Sequence, residues 1–316
     1  MSFSTETKNE LARSIPEKKC CQLAEIAGFL RVSGSLRLAG GGRFRIVCPT
    51  DNAAIARHYK KLIKSYFRID PGIEIEEGGA LRRGHIYYLT IDPDMKSESI
   101  LRETGILLVK EGSNYISDGI YQDIVKKKCD RKSYLRGAFM ACGSISDPNK
   151  EYHLDFTLEH EQLANDIRKL IGTFYDLEGK ITRRRKKYVV YMKKSEYISD
   201  MLALIGADSA VLALENTRIQ KDVVKRTVRL ANCDSANTDR TVDAAGKQIA
   251  AIQKLKESGM LEALSDKLIE VAELRLEHPD ASLAELGEMM DPPLKKAGIN
   301  SRLQRIVEAA KNAVKD

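Results

Sequence analysis

The stretch "LRGAFMACGSI", residues 135–145, decides how this chain is read, because an apolar helix-like run passes through Gly137 to Gly143 and into a strand. The same device stands earlier as "IAGFLRVSGSLRL", residues 26–38, with Gly28 inside the apolar run and Gly34-Ser35 at its end. The two stretches lie 109 residues apart. Downstream, "YKKLIKSYF" (59–67) meets "IRKLIGTFY" (167–175) at an offset of 108, so the likeness extends beyond one motif. Self-similarity at a fixed offset marks a repeated structural unit.

Each copy shows the same order of periodicities. A helix ends at the Gly-Ser step, and two alternating strands follow: "SLRL" and "RFRIVC" in the first copy, "GSIS" and "YHLDFTL" in the second. A helix comes next, at 52–67 and 160–174, then a second hairpin at 72–91, with Gly78-Gly79 as its turn, and at 179–194. A closing helix runs from about Ser195 to Leu204. The expected unit is αββαββα, present twice, in an α+β fold. The glycine run in "LAGGGRF" (38–44) lies between two strands rather than opening a helix, so it reads as a hairpin turn and not as a phosphate loop.

Composition narrows the function classes. The chain has 316 residues, 43% of them hydrophobic, enough for substantial cores in more than one domain. Its start is polar, and no apolar run reaches the roughly 18–20 residues that cross a bilayer, so a soluble, cytoplasmic protein with no membrane partner is expected. The net charge of +7 gathers in "KKKCDRK" (126–132), "RRRKK" (183–187) and the segment from Arg218 to Arg229, which favours a nucleic-acid partner. The six cysteines form no CxxC pair and no Cys/His array, and His153 and His160 stand without further ligands nearby. The cysteines read as reduced packing residues, and no metal, cofactor or catalytic residue is assigned.

After about Asn216 the strand alternation gives way to helical periodicity, with an Asn/Asp/Ser-rich break expected at 232–239. From Leu261 three helices can be drawn. Leu264, Leu268, Val271 and Ala272 give the first its apolar stripe, and Pro279 closes it. Ser282-Leu283-Ala284-Glu285 is a capping box that opens a short second helix, with Leu283, Leu286, Met289 and Met290 on its apolar side. The third, "LKKAGINSRLQRIVEAAKN", puts Ile299, Leu303, Ile306, Val307 and Ala310 on one face. Ser301, Gln304 and Arg305 then point away from that face, with Asn300 and Arg302 at its flanks. Such side chains suit base contacts, whereas Lys295 and Lys296 suit phosphate, and Ser282 at the cap joins them as a contact candidate. Charge agrees with this division: residues 257–291 carry ten acids against two bases, and 292–316 carry six bases against two acids.

The duplicated motif resembles the LAGLIDADG homing endonuclease fold, in which two such helices pack at a pseudo-twofold axis and two antiparallel sheets form a saddle. Small residues at that crossing serve close approach, and Gly28, Gly137, Ala27 and Ala138 are the candidates. The family's chemistry needs a carboxylate before each Gly-Ser step to hold a divalent metal, and these positions are Ser33 and Cys142 here. Asp147, four residues past Gly143, falls in the following hairpin.

The degenerate duplicated domain, "RLANCDSAN" and "ASLAELGEMMDPPLKKAGINSRLQRIVEAA" together resemble the bacterial WhiA-type regulators, which join such a domain to a C-terminal helix-turn-helix. The resemblance implies a LAGLIDADG-like domain over 1–215 (repeats about 17–110 and 125–210), a helical linker over 216–256 and a helix-turn-helix over 257–316. It also implies a nucleoid-associated transcription regulator tied to cell division, chromosome segregation and sporulation. Double-stranded DNA is its expected partner, contacted through the C-terminal residues above and the basic hairpin at Arg183, Arg184 and Arg185. RNA polymerase or other regulators stand as further partners. Two other readings stay open at this point: an interaction scaffold and a metal-dependent endonuclease.

Overall fold

The computed structural model describes residues 1–77, 84–174 and 177–312. It divides into two compact units, Met1–Lys221 and Asp222–Asp316. The first begins with a helix, α1 (Phe3–Leu11), where the sequence suggested only a polar start; the Ser2 hydroxyl caps it by accepting from the Thr5 amide.

Two copies of one topology follow. The first runs α2 (Lys19–Ser33), β1 (Ser35–Leu38), β2 (Phe44–Thr50), α3 (Ala53–Phe67), β3 (Gly72–Glu77), β4 (His85–Ile91) and α4 (Ser97–Glu103), and a small hairpin, β5 (Leu107–Lys110) and β6 (Ser113–Ile116), is appended to it. The second runs α5 (Lys128–Cys142), β7 (Gly143–Ile145), β8 (Leu154–Leu158), α6 (Glu161–Ile171), β9 (Lys180–Arg184), β10 (Lys187–Met192) and α7 (Ser195–Ile205). The two four-stranded antiparallel sheets share one strand order, β1-β2-β4-β3 and β7-β8-β10-β9. The β1–β2 turn is the glycine run: Gly40, Gly41 and Gly42 all have positive φ, which a side chain would resist. The Gly78-Gly79 turn lies outside the described residues.

At the centre, α2 and α5 pack backbone to backbone. A Cβ on Gly28 would overlap the Tyr134 carbonyl oxygen and come within 3.2 Å of the Ala138 nitrogen. On the partner helix, a Cβ on Gly137 would overlap the Glu25 carbonyl oxygen and stand 3.0 Å from the Phe29 nitrogen. Ala27 and Ala138 are buried beside them. Close contact puts polar side chains in the core, and they pair there. Glu25 accepts from the His58 imidazole at 2.6 Å and faces the Arg136 guanidinium at 3.3 Å, so an ion pair links α2 to α5 through the interior. Arg136 also donates to the Leu11 and Ser14 carbonyls, holding the end of α1 and the turn beyond it.

Helix α8 runs without interruption from Asp208 to Glu257, so the break expected at 232–239 is absent. No proline or glycine occurs in α8 before Gly246, so nothing in the backbone forces a break, and hydroxyls such as those of Thr227 and Thr241 turn to the carbonyl four residues back instead of capping a turn.

In the second unit, α9 (Asp266–Glu277), α10 (Leu283–Glu288) and α11 (Lys296–Asn312) enclose a core of Val271, Leu286, Met290, Ile299, Leu303 and Ile306. Ile252 and Leu255, on the last turns of α8, belong to the same core, so the packed unit reaches back into the expected linker. Met289, expected inside, is 47% exposed although its backbone is still helical at the end of α10; Met290, at 4%, takes the inward place.

If the Gly28–Gly137 contact sets the helix spacing, Gly137→Ala destabilises the first unit by about 1–3 kcal/mol through overpacking. Gly246→Ala, on α8 with nothing within 4 Å of the added methyl, instead stabilises by about 0.5–1 kcal/mol. Urea unfolding of the variants measures both, and coincident midpoints would remove the glycine contact from this role.

Candidate nucleic-acid interface

The short helix α10 is defined at both ends. Ser282 Oγ accepts from the Glu285 amide at 3.3 Å, and the Glu285 carboxylate accepts from the Ser282 amide at 2.7 Å, a bond that holds Glu285 below the usual carboxylate range. The far end turns back sharply. A Cβ on Gly287 would overlap the Leu294 carbonyl oxygen, while Gly287 O accepts from the Leu294 amide at 2.8 Å. Before α10, the buried Arg275 donates to the Ala281 carbonyl at 2.6 Å and to the Pro279 carbonyl at 3.4 Å, fixing the loop between α9 and α10. Sequence reading missed both Arg275 and Gly287. An arginine on an apolar stripe and a glycine two residues before two methionines were the signals available.

These constraints set the turn into α11, whose inner face holds Ile299, Leu303, Ile306 and Ala310. Ser301, Gln304 and Arg305 are exposed on the other side, and Asn300 and Arg302 are half-buried at the flanks. Lys295 and Lys296 are exposed where the helix begins. Arg302 is partly committed, since it donates to the Lys267 carbonyl on α9 at 3.4 Å. Ser282 is committed to the cap: its Oγ accepts from the Glu285 amide and its hydroxyl also bonds the Glu285 carboxylate. The exposed set therefore combines a bidentate donor, an amide and a hydroxyl on one rigid helix with two lysines at its start, chemistry that fits base edges and phosphates.

In the first unit the basic hairpin β9–β10 does not present its three arginines alike. Residues directly opposite across paired strands share a face. Arg183 pairs with Tyr188, whose ring packs on the core and lies 5.8 Å from the guanidinium, so Arg183 continues the helix-covered face. Arg184 pairs with Lys187 on the opposite, open face, which also carries Lys180 opposite Tyr191. Arg185 sits in the turn with φ 57°. The matching open face of the first sheet is mixed: Arg37 and Arg45 lie among Glu74 and Glu76, and Arg45 is held by Glu74 and by Asp92.

At the helix ends where nuclease carboxylates would stand, Ser33 Oγ donates to the Phe29 carbonyl at 2.8 Å, and burial pushes the Cys142 thiol up to about 12. Lys8 of α1 enters here. It lines one cleft with Asp51, Gly143 and Ser144, and its charge interacts with Cys142, Asp51 and Asp155; burial lowers its own pKa. An ammonium thus lies beside the place a divalent cation would take. Asp147 is turned away in an exposed turn, accepting from the Asn149 amide at 2.9 Å. At the opposite ends of the same helices the fold does gather potential ligands: Cys20, Cys21, Cys129 and Asp130 come within 4.8 Å of one another. No local spacing announced them, because they belong to two helices more than a hundred residues apart.

Family models match in three consecutive segments: the WhiA N-terminal LAGLIDADG-like domain over 19–107, the WhiA LAGLIDADG-like domain over 131–224 and the WhiA C-terminal HTH domain over 227–310. Among curated proteins, the probable cell division protein WhiA of Alkaliphilus metalliredigens is 42% identical over 310 residues, covering 98% of each chain. The protein of that name from Thermoanaerobacter sp. (strain X514) is 43% identical over 312 residues, again covering 98% of each. Among solved structures, full-length WhiA from Thermatoga maritima aligns over 99% of both chains with a TM-score of 0.61 and 27% identity. No described helix is long and apolar enough to cross a membrane. A duplicated sheet-and-helix domain with both acid positions replaced, a helix-turn-helix after it, and relatives matched from end to end lead to one assignment: the chain belongs to the WhiA family.

Proposed function

We propose that this protein is a sequence-specific, double-stranded-DNA-binding transcription regulator of cell division that reads its sites with α11 and has no nuclease activity. One observation carries the reading: Ser301, Gln304 and Arg305 form an exposed polar face directly opposite the buried stripe of a helix whose approach is fixed by a capped α10 and a glycine turn. The name shared by the relatives supports the link to division. Chromosome segregation, sporulation, residence on the nucleoid and contact with RNA polymerase or other regulators rest on the family resemblance alone. Lys295 and Lys296 hold phosphate in this reading, Asn300 and Arg302 assist at the flanks, and Ser282 contributes at the start of α10, where its side chain is tied to Glu285.

The direct test uses binding to a selected operator and to random duplex. Arg305→Ala and Gln304→Ala each cost roughly 1–3 kcal/mol of specific binding while changing folding stability by no more than about 0.5 kcal/mol. Lys295→Ala weakens both duplexes together. Leu303→Ala is the folding control, losing about 2–5 kcal/mol of stability. Wild-type affinities for both duplexes in Arg305→Ala and Gln304→Ala would move the interaction-scaffold reading to the front.

The open face of the second sheet is a second, sequence-independent DNA contact in this reading. Neutralising Arg183, Arg184 and Arg185 together weakens binding to all sequences, and Arg184→Ala alone lowers the slope of log K against log salt by about 1, the signature of a lost phosphate contact. Arg183→Ala leaves the slope unchanged, since its side chain is on the other face. Equal slopes for wild type and the triple variant would return this hairpin to an ordinary solvated surface.

With Ser33 and Cys142 in place of acids and Lys8 beside them, purified protein incubated with Mg²⁺ or Mn²⁺ leaves duplex DNA intact. Cleavage that co-purifies with the protein and disappears in Asp51→Asn or Asp155→Asn would overturn the non-enzymatic reading.

A further inference from the structure

The N-terminal ends of α2 and α5 carry a side-chain cluster that the DNA-binding reading does not use. Cys20 and Cys21 occupy the first turn of α2, and Cys129 and Asp130 the first turn of α5. The pairs are related by the offset that relates Gly28 to Gly137: Cys20 matches Cys129, and Cys21 matches Asp130. They are therefore pseudo-symmetric positions, brought together by the helix packing that the glycines permit.

The four ligating atoms all lie within 4.8 Å of one another. Asp130 Oδ1 is 3.4 Å from Cys129 Sγ and 4.0 Å from Cys21 Sγ. A tetrahedral zinc with bonds of about 2.3 Å to sulfur separates its sulfurs by about 3.8 Å, so adjustment of no more than about 1 Å closes the shell. The other carboxylate oxygen accepts from the Lys127 amide at 3.3 Å, the kind of outer bond that orients a ligating carboxylate. Cys21 and Asp130 are buried, whereas Cys20 and Cys129 are half-exposed and leave a path for entry.

We propose that Cys20, Cys21, Cys129 and Asp130 bind a zinc ion that clamps the N-terminal ends of α2 and α5 together. Three sulfurs and one carboxylate suit a borderline-soft divalent ion that takes four ligands, and do not suit Mg²⁺ or Ca²⁺, which take oxygen. A buried carboxylate is costly without a cation, and in the metal-free protein Asp130 receives one amide bond and weak thiol donors. The location also favours anionic ligands, because two helix N-termini converge there and α2 has no side-chain cap to occupy its first amides. With four protein ligands no position remains for substrate, so the site is structural. It cross-links the two copies at the end of the helix pair away from Ser33 and Cys142.

The test is a titration of the full-length, reduced chain with Co²⁺ and then Zn²⁺. Expected are a thiolate-to-cobalt band in the near ultraviolet and intense visible bands of tetrahedral cobalt, saturating at one equivalent and abolished by one equivalent of Zn²⁺. Cys21→Ser and Cys129→Ser lose these bands, while Cys48→Ser and Cys233→Ser keep them. A measurement on the wild type alone covers the case in which a variant fails to fold: saturating Zn²⁺ protects three of the six thiols from a disulfide reagent, and a chelator releases them. Wild-type protein without a stoichiometric cobalt spectrum, bands that persist in the Cys21→Ser/Cys129→Ser double variant, or thiol reactivity indifferent to zinc would each overturn the proposal. So would a disulfide among Cys20, Cys21 and Cys129 in protein purified under the reducing conditions of the titration.

Discussion

The structure of the first unit depends on one close approach, the contact of the α2 and α5 backbones at Gly28 and Gly137. Hydrogen on each α-carbon is all that fits between one helix and a carbonyl of the other. Larger residues would push the axes apart and open the core on both sides, since interiors pack too densely to absorb the shift. From that spacing follow the burial of Phe29, Leu30, Leu135 and Phe139 between helices and sheets, and the pairing of Glu25 with Arg136 across the axis. A buried ion pair of this kind is weak evidence for stability, but removing one partner strands a charge in the core. Its main effect is positional: Arg136 also reaches the carbonyls at the end of α1, so the helix pair and the N-terminal segment share one polar junction.

Duplication built two similar frames, and their surfaces have diverged. The open face of the second sheet carries Lys180, Arg184 and Lys187 beside one acid, Asp155, with Lys187 3.8 Å from Glu159, whereas that of the first sheet sets Glu74 and Glu76 among its arginines and ties Arg45 to two acids. A symmetric saddle would follow both strands of a duplex with phosphate contacts on each half. Here the first half offers a partly self-neutralised surface, so electrostatic attraction is concentrated on the second.

The duplicated order of helices and strands was legible because amphipathic periods and the paired Gly-Ser steps survive in both copies. The face of α11 was legible for the same reason: Ile299, Leu303, Ile306 and Ala310 set a helical phase that leaves Ser301, Gln304 and Arg305 outside. Features made by tertiary contact were not. Helix α1 has little apolar periodicity of its own and is held through Arg136 and through Glu10, whose carboxylate accepts the Ser209 amide from a residue far along the chain. The polar run at 232–239 looked like a break because Asn, Asp and Ser favour turns, yet nothing there forbids a helix. The basic hairpin was legible as a charge run, but the separation of Arg183 from Arg184 required the strand register. The cysteine cluster was hidden most completely, since a search by spacing examines neighbours in sequence and these ligands are neighbours only after the two helices pack.

The two ends of the helix pair obey opposite electrostatic rules. Carbonyls at a helix C-terminus carry partial negative charge, so two acids buried at neighbouring C-termini need a divalent cation to offset both the helix ends and each other. Where no metal is held, neutral Ser33 and Cys142 are the less costly occupants, and an ammonium such as that of Lys8 is favoured by the same field that would penalise carboxylates. At the N-termini the field is reversed: amide hydrogens favour negative charge, so the buried Asp130 carboxylate stands where a helix end suits it. Gly28 and Gly137, which set the helix spacing, stand at neither end, so the two ends can carry side chains of opposite electrostatic character while that contact stays the same.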